Sequence, residues 1–197
     1  MDKKETRTLP AAIEVRSEGD EAAKSDVIVG YALKFNQESR DLGGFVEVIK
    51  PGALDGVDLG DVRALFNHSP NQVLGRTKSG TMSLEVDEVG LRYTINPPDT
   101  QFTRDLMQSM KRGDIDSSSF GFTVDYANNG DSFDYNEERG VYLRTINKFK
   151  SIFDVSVVTY PAYQASESTV AQRSLENYKH ELEKGKRLKQ LKMLFEF

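Results

Sequence analysis

SSSFGFTVDY (residues 117–126), VYLRTINKF (141–149) and SIFDVSVVTY (151–160) are three runs rich in β-branched and aromatic residues, and they read as strands. The first two are separated by residues 125–138, which hold five acids and no bases and read as a solvated loop or the tip of a long hairpin. Toward the amino terminus, residues 11–16, 27–35, 45–49 and 62–66 have the same texture, bounded by Gly, Pro, Asp or Asn. They lie too close together for helices between them, which disfavours a doubly wound α/β fold, because parallel neighbours there need helical crossovers. MSLEVD and GLRYTI (82–87 and 90–95) flank a short turn and predict a hairpin with one wet face.

Helical spacing occurs in two places. Phe102, Leu106, Met107 and Met110 fall on one face of a helix over residues 100–112, with Asp99 available as its cap and Gly113 as its stop. From about Ser168 the composition shifts to Ala, Gln, Leu, Glu and Lys, with Leu175, Leu182, Leu188, Leu191 and Leu194 at near-helical intervals. This predicts a carboxy-terminal helix whose last part, KGKRLKQLKML, carries five bases and no acid. The expected fold is therefore mainly β, of the α+β class: a curved sheet or closed β-barrel of about seven strands with one internal and one terminal helix. Residues 1–167 form the barrel domain in this reading and 168–197 a basic helical tail.

The whole chain has 197 residues, of which 38% are hydrophobic and 29% charged, enough for one core and short of two full-sized ones. Cysteine is absent, which removes thiol nucleophiles, disulfide frameworks and thiolate metal sites and favours a reducing compartment. A formal charge of −5 argues against a protein that grips phosphate backbones over most of its surface. The first 26 residues carry 12 charges and no apolar stretch suited to a signal peptide, and no run approaches the length of a membrane helix, so neither export nor insertion is expected. The acids and the two histidines show no ligand spacing for a metal, and neither a Walker loop nor a GxGxxG is present, so no metal and no cofactor is expected.

Three features carry chemistry. His68, in FNHSPNQVLGRT, lies where a buried strand runs into a loop, a place that suits a loop-capping imidazole as well as one aimed into a cleft. His180 sits among Lys179, Glu181 and Glu183 and reads as a solvated helix residue. Ser117, Ser118 and Ser119 lead into Phe120-Gly121-Phe122, where the glycine permits close approach of another group. Serines before a strand are commonly turn formers, and a serine nucleophile needs a neighbouring base, for which His68 is the candidate. Asp154 interrupts an apolar strand on a face shared with Ile152, Ser156 and Val158, so it is either exposed at an edge or paired with a donor such as an imidazole.

Five ordered blocks extend these readings: VIVGYALKFN, GGFVEVIKPGAL, VRALFNHS with LGRTKSGTMSLEVDEVGL, RGDI followed by SSSFGF, and FDVSVVTYPAYQAS. From about Arg7 to about Ser168 the chain resembles the prohead maturation proteases of HK97-type tailed bacteriophages, serine endopeptidases distantly related to the herpesvirus assemblins. The resemblance implies a β-barrel core and a catalytic set of His68 as general base, Ser119 as nucleophile and Asp154 as the third member. Family members more often carry Glu in a block like E-[IV]-S-L-V. An Asp there, one methylene shorter, implies that the imidazole sits closer to this strand or that the third role is weaker. Amides near Phe120 and Gly121 are expected oxyanion donors, with Arg76 or Arg144 as helpers.

The implied substrates are the scaffold, or the scaffolding region of the major capsid protein, and the protease itself, with no nucleic acid or membrane partner and a homo-oligomer left open. The implied location is the interior of the immature capsid in the host cytoplasm. The alternative is an inactive or non-enzymatic capsid-assembly protein of the same fold that binds scaffold.

Overall fold

The computed structural model describes residues 4–10, 13–18, 25–160 and 169–195. In chain order its strands are β1 (Glu5–Leu9), β2 (Ile13–Glu18), β3 (Ser25–Lys34), β4 (Phe45–Ile49), β5 (Arg63–Phe66), β6 (Ser69–Arg76), β7 (Met82–Val86), β8 (Gly90–Ile95), β9 (Ser117–Val124), β10 (Asp131–Asn136), β11 (Val141–Ile146) and β12 (Phe149–Val158). Helix α1 (Gln101–Lys111) lies between β8 and β9, and α2 (Thr169–Phe195) follows β12. The fold is mainly β, as expected, and among the described residues the strands form three open sheets and no closed barrel. Their orders are β1-β9-β12-β5-β6, β2-β3-β8-β7 and β10-β11-β4.

The described residues hold twelve strands against the seven or so expected. Three of them, β1, β6 and β10, fall on no segment read as a strand; they are rich in charged and polar residues and acquire their form from neighbours. Asp131–Asn136, within the stretch read as loop or hairpin tip, pairs along its whole length with β11. Helix α1 starts one residue later than Asp99 would place it: the Thr100 hydroxyl accepts the Thr103 amide at 3.2 Å, while Asp99 pairs with Arg104. Gly113, at φ +82°, takes the left-handed position that ends the helix.

The main core lies between the five- and four-stranded sheets. Ile28, Leu33, Leu91, Tyr93 and Ile95 meet Phe120, Phe122, Val155 and Val157, with Leu106 and Met110 of α1 closing one end. Phe120, Phe122 and Phe149 pack ring against ring at 4.9–6.0 Å. A smaller cluster of Leu42, Phe45, Ala171 and Leu175 fastens the first turns of α2, with Tyr178 stacked on Phe133 at 6.0 Å. Residues 181–190 are exposed throughout, so of the leucines at near-helical intervals Leu175 is buried while Leu182 and Leu188 face solvent; Leu191 and Leu194 lie outside the described side chains.

Strand β1 is an edge strand with two kinds of residue. Opposed residues of an antiparallel pair share a face. Register sets Glu5 opposite Phe122 and Arg7 opposite Phe120, both toward the core, and Thr6 and Thr8 opposite Gly121 and Ser119 on the other face. On the core face Arg7 forks onto Glu47 with two 2.8 Å bonds, and wholly buried Arg144 bonds Glu5, Glu47 and Asp131 at 2.8 Å each. Burial alone would raise the Glu5 pKa, but Arg144 and Arg7 outweigh it and lower it; burial raises that of Asp131. This ionic cluster joins the five-stranded to the three-stranded sheet, and breaking it would leave buried charge uncompensated.

Candidate active site

On the opposite face, three adjacent strands and one turn bring together the residues that the sequence singled out. Asn67 and His68 form the two-residue turn between β5 and β6, with φ of +51° and +56°. Positive φ at both positions is the pattern that matches hairpin twist, usually supplied by Asn or Gly. Asn67 tolerates it well; for His68 the left-handed region is less comfortable. The turn is held by β12: the Asn67 amide donates to the Val157 carbonyl at 2.9 Å, and its side chain exchanges two bonds with Thr159.

Strand β12 runs between β9 and β5, antiparallel to the first and parallel to the second. Ser156 faces Ser119, and Asp154 faces Gly121. Simple alternation would put Ile152 on the Asp154 face, but a bulge at Phe153 interrupts the register, since Ile152 pairs with Phe122 and Asp154 with Gly121. Ile152 therefore enters the core and Asp154 turns to the other face, the re-aiming that a bulge provides. The acid is thus central, buried and paired.

His68 Nδ1 lies 2.5 Å from Asp154 Oδ1, and His68 Nε2 lies 2.7 Å from Ser119 Oγ. Ser156 Oγ donates to Asp154 Oδ1 at 2.9 Å and is 3.2 Å from Nδ1. Lys4 Nζ donates to Asp154 Oδ2 at 2.6 Å. Burial pushes the Asp154 pKa up, but the hydrogen bond and charge of His68, and then those of Lys4, pull it down to about 2. The short Asp reaches because β5 is hydrogen-bonded directly beside β12, which brings the imidazole to it. The Ser119 hydroxyl is buried and also lies 2.9 Å from the Arg7 carbonyl, so its single proton has two acceptors in reach.

The other serines are accounted for: Ser118 faces the core and accepts from Tyr93 at 3.0 Å, and Ser117 donates to Asp116 at 2.8 Å. A hydroxyl, an imidazole and a carboxylate in series can move a proton off the hydroxyl as it attacks a carbonyl. The profile of the caudovirus prohead serine protease family matches residues 11–181.

The chain belongs to this prohead protease family. It is accordingly a serine peptidase by family. The solved structure of the bacteriophage T4 capsid assembly protease, gp21, is a looser likeness, with 15% identity over 78% of this chain and 98% of that one, at a TM-score of 0.40. No curated protein matches the chain.

In this prohead protease family member the groups expected as oxyanion donors lie as follows in the fold. Strand β9 is flanked by β1 and β12 over Ser118–Phe122, so the amides of Phe120 and Gly121 lie in the sheet plane, toward ladder partners. Arg144 is in the ionic cluster on the core face, and Arg76 forks onto Asp61 with bonds of 2.6 and 2.8 Å. His180 is exposed on α2. A cavity of about 230 Å³ touches Arg7, Glu47 and Phe120, on the core side of β1, and none of His68, Ser119 or Asp154 lines it. Sequence reasoning passed over Ser156 and Lys4 as site residues. The first was legible as the strand neighbour of Asp154 on the same face; the second, 150 positions from its partner in a charged amino terminus, had no local signal.

Proposed function

We propose that the chain is an active serine endopeptidase in which Ser119 is the nucleophile, His68 the general base and Asp154 the residue that holds the imidazole. The observation that carries this reading is the unbroken series from Ser119 Oγ to Nε2 at 2.7 Å and from Nδ1 to Asp154 Oδ1 at 2.5 Å. Asp154, ionised at neutral pH, keeps the proton on Nδ1 and leaves the Nε2 lone pair toward the hydroxyl. Ser119 Oγ attacks the scissile carbonyl as its proton passes to Nε2, and His68 returns that proton to the departing amine. Water, activated in the same way, then releases the acyl group. The hydroxyl is closed off in this conformation, so the substrate must displace what covers it, and the serine proton must turn from the Arg7 carbonyl to Nε2.

The substrates in this reading are the scaffold, or the scaffolding region of the major capsid protein, and the protease itself, inside the immature capsid in the host cytoplasm. Family membership and the blocks shared with prohead proteases support it. Residues 1–167 are the protease domain and 168–197 the tail, whose exposed basic part is open to self-cleavage.

The test is labelling with a fluorophosphonate probe, followed by mass spectrometry of co-expressed capsid or scaffold protein. The expected result is a covalent adduct at Ser119, absent in Ser119→Ala, with processing lost in the same variant while the sheets stay folded. The burial of Ser119 favours one other reading, an assembly protein without activity. A folded chain that never labels or processes would establish that reading instead.

A further inference from the structure

The ammonium of Lys4 occupies a seat that several elements build. Its Nζ bonds Asp154 Oδ2 at 2.6 Å and stands 5.7 Å from the ring of Phe153, the residue that the bulge turns outward. Gly121 forms the floor: a Cβ there would come within 2.3 Å of Lys4 Cε and 2.6 Å of Asp154 Oδ2. Directly after the lysine, Glu5 and Arg7 of β1 point to the other face and are locked into the buried ionic cluster, which fixes the segment that carries it. Lys4 lies outside residues 11–181, where the family profile matches.

We propose that Lys4 is a positioning residue for the reaction, acting through Asp154. The two carboxylate oxygens are divided between partners, Oδ1 for His68 and Ser156 and Oδ2 for Lys4, which fixes the rotation of the carboxylate beneath the imidazole. The ammonium also offsets part of the charge that the carboxylate presents to His68. The other cation in register with Asp154, Arg63 on β5, is turned toward Asp61, 3.5 Å away. Lys4 is therefore the group that tempers the field at the imidazole, and its loss lets the carboxylate hold the imidazolium more strongly.

The role rests on Ser119 being the nucleophile, and the test separates the two. The rate of fluorophosphonate labelling at Ser119 is followed against pH in the full chain. For Lys4→Met the acid limb is expected to move up by about half a pH unit, with a plateau about fivefold lower; Lys4→Arg is expected to return the limb toward its original place. A Lys4→Met profile that superimposes on that of the unaltered chain would overturn the role alone. Absence of labelling in the unaltered, folded chain would overturn the nucleophile reading and the role of Lys4 with it.

Discussion

Two polar clusters lie on opposite sides of the five-stranded sheet, one joining β1 to β4, β10 and β11 and the other on β9, β12 and the β5–β6 turn, and they differ in what their protons can do. On the core face, Glu5, Arg7, Glu47, Arg144 and Asp131 are joined by forked arginine–carboxylate contacts. Guanidinium groups stay charged at any working pH, so this cluster holds sheets together without changing protonation. On the other face, Asp154 is also buried and ion-paired, but its chain of contacts runs through an imidazole, 23% exposed, to a hydroxyl. Burial and charge are common to both, and only the second places an imidazole beside a hydroxyl, a pair between which a proton can pass. A strongly perturbed carboxylate therefore does not identify a reactive centre; the group at the other end of its hydrogen bond does.

The sharpest way to break this contrast is Asp154→Asn. It is expected to lower peptide cleavage about 10⁴-fold, because the amide imposes the wrong imidazole tautomer, while leaving the fold in place. Activity measured beside a thermal melt checks both halves. On the other face, Arg144→Met leaves buried Glu5 and Glu47 and half-buried Asp131 without their shared cation and should destabilise the chain by about 3–5 kcal/mol in urea titration. The fraction still folded should still label at Ser119.

Smaller effects sharpen the picture. Ser156→Ala removes one charge-assisted bond to Asp154 and should reduce kcat/KM about tenfold with little change in stability. Finally, the lowered Asp154 pKa means that its pairing stabilises the fold above its ordinary value of 3.8 and that this stability is lost as pH falls toward about 2. The stability gap between the unaltered chain and Asp154→Asn should therefore narrow from about pH 4 to about pH 2, as followed by denaturant midpoints.

The second face was far more legible in the sequence than the first. Ser119 two residues before a glycine, His68 at a strand end and Asp154 within an apolar strand are each locally odd, and oddness is readable. The mainly β class followed from segments such as 27–35 and 151–160, whose side chains favour a pleated surface in any context. Glu5, Arg7, Glu47 and Arg144 are ordinary in their local sequence, and charged residues are expected outside. Only the assembled sheets reveal that they meet. The bulge at Phe153 was hidden for the same reason: strict alternation is the default, and the extra residue is defined by the partner strand. The asparagine and histidine of the β5–β6 turn carried a weak cue, since Asn at the first place of a two-residue loop favours positive φ.

The strand that begins the fold is completed by strands made much later. Lys4 finds Asp154 150 positions on, and His68 finds Ser119 and Asp154 at separations of 51 and 86. Such distant contacts slow folding, because long loops must close before any contact rewards them. A growing chain thus cannot bring these side chains together until β12 has left the ribosome, and the order of synthesis alone delays the moment at which His68, Ser119 and Asp154 meet.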